Sequence, residues 1–310
     1  MNAGNAERQS RNLMTLIRRD RHLLLMFLPV FLYFLLFCYI PMVGIVVAFK
    51  DFIPGRGVFG GEWVGFRWFL QFFRSRYFTR IVRNTFLLAL YPLVFGFPIP
   101  ILFAICLNEV RSSKFRRLAQ TVTYLPHFIS TVVVAGMIVN FLSPTDGIVN
   151  LLIKVLGGKA VNFMMEPRWF RGIYTVSGIW QSFGFSSIIY IAAILGIDPA
   201  LYDACRIDGA GKLQELRHVT LPGMSTTIVV VLILSLGGIM SVGFEKVYLL
   251  YNPALYETAD VISTYVYRQG IELQNFGYAS AVGLFNSLIN FAVVFAANTA
   301  SRRITEMSLW

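Results

Sequence analysis

Residues 23–49 read LLLMFLPVFLYFLLFCYIPMVGIVVAF, without a single charged side chain. At 1.5 Å per residue, roughly 20 apolar positions cross about 30 Å of hydrocarbon. A buried core helix of a soluble domain shows an apolar run of about 10–14 residues, and this one is far longer. The stretch is therefore predicted to span a membrane. It follows a basic tail, as a secretory signal does. Its apolar run is far longer than the ~7–15 residues of such a signal, and no small-x-small cleavage site follows. It is expected to be a retained helix.

The same test, moved outward, finds five more spans: 85–107, 118–142, 172–197, 224–244 and 276–300. Composition agrees. Of 310 residues, 56% are hydrophobic and 14% charged, where about 25% charged is usual for a soluble domain. Disorder, a collagen-like fibre and a disulfide-stapled domain are excluded by the hydrophobicity, the lack of a Gly period and the three Cys. The expected class is all-α integral membrane, with six transmembrane helices. Pro29 and Pro41 in the first span, and Pro92, Pro98 and Pro100 in the second, predict kinked helices packed around something.

The net charge is +11. In a soluble protein that would suggest nucleic acid, but no basic module stands apart from the apolar segments, so no nucleic-acid partner is expected. Basic loops facing anionic membrane lipid explain the excess. With the N-terminus inside, the 27 Lys and Arg divide 14 against 13, which does not settle orientation. Arg8, Arg11, Arg18, Arg19 and Arg21 precede the first span, and Arg111, Lys114, Arg116 and Arg117 crowd one short loop. Charge beside the first helix dominates orientation. Both termini, residues 1–22 and 302–310, are accordingly placed in the cytoplasm, flanking a membrane domain over 23–301.

Chemistry is sparse. Cys38, Cys106 and Cys205, and His22, His127 and His218, form no metal or redox pattern. Ionisable residues are nearly absent from the spans, so no ion or proton relay is visible. Residues 209–213, GAGKL, imitate a P-loop. The match lacks the first Gly, where Arg206 stands, and the Ser or Thr after Lys, where Leu213 stands. No cofactor is expected on this chain.

One loop is informative. Residues 198–222 read DPALYDACRIDGAGKLQELRHVTLP. Asp198 is a good N-cap and Pro199 suits the first helical position. Gly209-Ala210-Gly211 breaks the helix, and Lys212 to Thr220 restarts it with Leu213, Leu216 and Thr220 on one face. Lys212, Glu215 and Arg217 fall off that stripe. Pro222 is expected to start the next span. Such a hairpin makes a docking surface for a partner groove, or an interfacial anchor through Leu213 and Leu216.

The loop resembles the EAA motif of ABC importer permeases: E-A-A, three residues, G, nine residues, I-x-L-P. Asp203-Ala204-Cys205 stands at E-A-A, Gly209 at G, and Val219-Thr220-Leu221-Pro222 at I-x-L-P. Residues 124–130 (YLPHFIS), 249–253 (LLYNP), 257–268 (ETADVISTYVYR) and 308–310 (SLW) are similar to LplB-type carbohydrate permeases. That branch belongs to the binding-protein-dependent, MalF/MalG-like permeases. The resemblance covers roughly residues 20–310. It implies a type I importer (MetI-like) fold in a bacterial plasma membrane, and a second, homologous permease as partner. It also implies two cytoplasmic ATPases holding ATP and Mg, an extracytoplasmic solute-binding protein and an oligosaccharide cargo. Residues 198–222 would be the coupling loop. Asp203 would be a charge partner for an ATPase Arg, where the plain alternative is a solvated carboxylate.

Amides, hydroxyls and aromatic faces in the spans suit a sugar path. Asn140, Trp180, Gln181, Tyr190, Asn286 and Asn290 are the candidates, with ordinary interhelical packing as the alternative for each. Residues 66–83 alternate aromatic and basic residues and resemble one interfacial helix. A stand-alone secondary transporter or channel would need an ion site in the spans. A membrane enzyme would need a catalytic cluster. Neither is visible.

Overall fold

The computed structural model describes residues 19–237 and 242–305. Most of the N-terminal tail, residues 238–241 and residues 306–310 lie outside the described residues, and with them Ser241 and the closing SLW. No strand occurs among the described residues, only an isolated antiparallel bridge between Lys50 and Trp63.

Among the described residues, five helices are long and apolar enough to cross a membrane: Arg21–Phe49, Phe78–Glu109, Pro167–Leu195, Lys212–Gly237 and Phe276–Ala300. The expected third span, 118–142, is not one rod. Ser113–Phe128 and Thr131–Phe141 meet at 100°. The backbone explains the bend. A 3-10 turn over Leu125–Phe128 contains Pro126, and Ser130 is extended (ψ 149°). The Ser130 hydroxyl then accepts from Val133 N, capping the new helix. Counting the bent pair as one span gives six.

The prolines are accommodated by a recurring device. In three helices the residue before a proline bonds five residues back, and of the three only Phe97 shares its N–H with the carbonyl four back. Ile40 N–H donates to Leu35 O before Pro41, Phe97 to Pro92 O before Pro98, and Leu221 to Leu216 O before Pro222. Each π turn widens the coil where a proline lacks its N–H and would crowd the carbonyl four residues back. The helices therefore continue through these prolines. Pro222 does not start the fifth span, which runs unbroken from Lys212 in the hairpin.

Two further expectations change at the end opposite the hairpin. Residues 66–83 are not one helix. Arg67–Arg74 is separate, and Phe78 already belongs to the second span. At this end the second and fourth spans thus reach further than hydropathy suggests, carrying Arg80 and Arg171. There Asp260, fully buried, accepts from Arg80 Nη2 (3.1 Å) and Arg268 Nη2 (2.9 Å). Asn84 donates through Nδ2 to Glu257 O and accepts at Oδ1 from Arg171 Nη2. A buried carboxylate is tolerable only when paired in this way. An aromatic core of Trp68, Phe69, Phe72, Tyr265 and Tyr278 packs beside the network.

Nearer the hairpin, Ala104, Tyr190, Ile194, Ile197 and Met224 join the second, fourth and fifth spans. The third and fourth helices approach so closely at Gly184 that a Cβ there would overlap Thr123 O. The apolar window of the first span buries nothing inside this chain, which leaves it facing lipid or a partner.

Candidate functional site: a coupling hairpin and an apolar-walled cavity

The loop 198–222 is a helix, a turn and a second helix, as expected. Asp198 Oδ1 accepts from Ala200 N (2.9 Å), capping Pro199–Ile207. Gly209 has φ +80°, a region open to glycine, and reverses the chain. Gln214 Oε1 accepts from Gly211 N (2.8 Å) and starts the second arm.

The arms are fastened by side chains. Arg206 Nε lies 2.7 Å from Glu215 Oε1, and Lys212 Nζ lies 2.9 Å from Glu215 Oε2. Tyr202 and Thr220 hydroxyls meet at 3.1 Å. Lys212 Nζ also reaches Glu109 Oε2 (3.2 Å), at the end of the second span. The hairpin is thus continuous with the fifth span and tied to the second.

These contacts revise the expected stripe. Leu213 is 78% exposed, Leu216 half-buried and Thr220 buried. The π turn over Leu216–Thr220 inserts an extra residue and shifts the phase of Thr220 relative to Leu213 and Leu216. Glu215, expected off the packed side, is buried. Its signal in the sequence was the i,i+3 spacing to Lys212. Asp203 is exposed and pairs with Arg206 at 3.4 Å. Ala204, Gly209, Leu221 and Pro222 are exposed, and Cys205 and Val219 half-buried. Ile207, which sequence reasoning passed over, is 86% exposed. Ile207 and Leu213 flank the turn and give the hairpin an apolar tip with Asp203 on its first arm.

Towards the other end a cavity of about 910 Å³ opens between the second, fourth and fifth spans. Its walls are mostly apolar, with Gln181, Ser182, Ser186, Tyr190, Ser235 and Lys246 among the polar residues. Of the candidate path residues it includes Gln181 and Tyr190. Asn140 and Trp180 are exposed elsewhere, and Asn286 and Asn290 on the sixth span are not part of this wall. Gln181 also has a packing role: its Nε2 donates to Ile129 O (3.0 Å), holding the break in the third span.

The family model described as "Binding-protein-dependent transport system inner membrane component" matches residues 96–306, which contain the hairpin and most of the cavity wall. The chain belongs to this family. As a member, it is a multi-pass membrane component of an ABC transport system. It is 42% identical over 304 residues to the polygalacturonan/rhamnogalacturonan transport system permease protein YteP of Bacillus subtilis (strain 168), covering 98% of this chain and 94% of that one. It is 39% identical to protein LplB of the same organism, covering 96% and 93%. Among solved structures, a chain of the bacterial alginate ABC transporter in complex with alginate pentasaccharide-bound periplasmic protein superposes with TM-score 0.90. That chain is 46% identical and is covered to 99%, with 96% of this chain covered.

Proposed function

We propose that this binding-protein-dependent permease carries oligosaccharides or polysaccharide fragments, and that residues 198–222 transmit the work of ATP hydrolysis to its spans. The observation that carries the coupling is the exposed tip: Ile207 ends the first arm, and Leu213 lies on the second arm, a helix that runs without a break into the fifth span. An apolar tip with a nearby carboxylate suits a groove on a partner ATPase, which holds ATP and Mg. Both termini and the hairpin lie on the cytoplasmic side in this reading. A second, homologous permease covers the first span and closes the cavity, and a solute-binding protein delivers cargo at the opposite end.

The relatives support the cargo class. Polygalacturonan and rhamnogalacturonan, named for the permease at 42% identity, and alginate, named for the structure at 46%, are uronate-containing polysaccharides. Permeases named for arabinooligosaccharides and diacetylchitobiose share only 26–28% identity. The chain does no covalent chemistry in this scheme. ATP binding closes the ATPases, the docked hairpin moves, and Lys212–Glu109 draws the second span with the fifth. The cavity then turns outward to receive sugar, and relaxation turns it inward.

The test is uptake by the reconstituted transporter. With residues 198–222 deleted, vanadate-sensitive ATP hydrolysis stimulated by the loaded binding protein is expected to vanish; its survival contradicts the coupling role. A narrower test is Asp203→Lys. Normal uptake and assembly in that variant remove Asp203 from the interface.

A further inference from the structure

Lys246 lies just beyond the fifth span, on the short helix Phe244–Leu250, and forms part of the cavity wall. It is 92% buried by its relative exposure of 8%, and among the described residues its Nζ has no hydrogen-bond partner. Its ammonium lies against the Tyr174 ring, 5.4 Å from Nζ to centroid. A buried ammonium without a carboxylate is unfavourable unless it is used. Three other cations of the chain show the usual arrangement, a shared carboxylate. Arg80 and Arg268 share Asp260, and Lys212 shares Glu215 and Glu109. Lys246 stands apart from that pattern.

The surroundings leave room for a ligand. Gly178 presents no side chain to the ammonium; a Cβ there would lie 3.6 Å from Nζ. Lys246 is the only charged residue among the described residues lining the cavity, and no carboxylate lines it. Ser182, Ser186 and Ser235 offer hydroxyls on the same walls. The flexible four-carbon stem lets the ammonium swing from beneath Tyr174 into the space it already borders.

We propose that Lys246 is a carboxylate-binding subsite in the cavity, selecting acidic, uronate-bearing oligosaccharides over neutral ones. This rests on the carbohydrate reading above and deepens it. Burial holds the free ammonium down to about 8, so a carboxylate arriving beside it restores a favourable charged pair. Neutral sugars would find only hydroxyls and apolar wall, and no partner for the charge.

The experiment uses the full transporter with its partner permease, ATPases and binding protein in proteoliposomes. Uptake of tetragalacturonate, an alginate tetrasaccharide and neutral cellotetraose is compared for wild type, Lys246→Gln and Lys246→Arg. Size-exclusion profiles establish that each variant assembles. Wild type is expected to take up at least one uronate tetramer, Lys246→Gln to take it up at least ~10-fold more slowly, and Lys246→Arg to stay within ~3-fold of wild type. Uronate uptake by Lys246→Gln equal to wild type overturns the subsite and leaves the carbohydrate reading intact. Wild-type uptake of cellotetraose alone overturns it in the same way. Uptake of none of the three by wild type removes the subsite together with the carbohydrate reading.

Discussion

Arg206 Nε and Glu215 Oε1, nine residues apart, meet at 2.7 Å across the glycine turn of the hairpin. The pair makes the two arms one unit, so a force on the tip is delivered to the fifth span and not absorbed by the turn. Glu215 is the buried partner, and Arg206 remains half in solvent. Glu215→Gln keeps the shape and removes the charge. It is expected to destabilise the hairpin by about 1–2 kcal/mol, because two cations lose their shared carboxylate. Limited proteolysis between residues 206 and 215 should accelerate roughly tenfold. An unchanged cleavage rate shows that the pair does not hold the arms.

Gly184 tests the close approach of the third and fourth helices. A Cβ there overlaps Thr123 backbone, which cannot swing aside as a side-chain tip could. Gly184→Ala is expected to cost about 1–3 kcal/mol by overpacking and to lower the melting temperature of the purified complex. Gly136, where a Cβ meets nothing within 4 Å, is the control, and Gly136→Ala should melt as wild type.

Much of this architecture was legible in the sequence. The uncharged run 23–49 announced a span, and the observed helix is Arg21–Phe49. Asp198, Pro199 and Gly209 marked the hairpin because capping and turning are local. The bend at Ile129–Ser130 was hidden because hydropathy measures composition and not direction. The extension of the second span was hidden because Arg80 lowers hydropathy, while its partner Asp260 lies 180 residues away. Glu215 was misplaced because the period of its own helix does not show Arg206, which meets it from the other arm across the glycine turn. Lys246 carried no signal in the sequence, since its solitude depends on walls brought together from three spans.

Acidity offers a check on the cavity. Lys246 is held down to about 8, so it is charged below that pH and neutral above it. Of the groups lining the cavity, the second and fifth spans present no ionisable side chain, and the fourth presents the phenols Tyr174 and Tyr190. Uptake of a uronate tetramer should therefore fall as pH rises from 7 to 9, relative to Lys246→Arg, whose guanidinium stays charged. Parallel pH profiles for the two proteins contradict the prediction.

The apolar tip should be dispensable for folding and required for docking. Ile207→Asp and Leu213→Asp change side chains that are 86% and 78% exposed, so melting is expected to stay within about 0.5 kcal/mol of wild type. Binding of the ATPase is expected to weaken by at least ~10-fold for each, as for an apolar anchor lost from an interface. Wild-type affinity in the double variant places the interface elsewhere.

The coupling role is tested most directly by photo-cross-linking. A benzophenone side chain is placed at position 207, and separately at 213, in the assembled transporter. A covalent adduct of this chain with the ATPase subunit is predicted at both positions, its yield changing when ATP and vanadate are added. Transporters that import sugar normally yet give no ATPase adduct at either position would contradict the account.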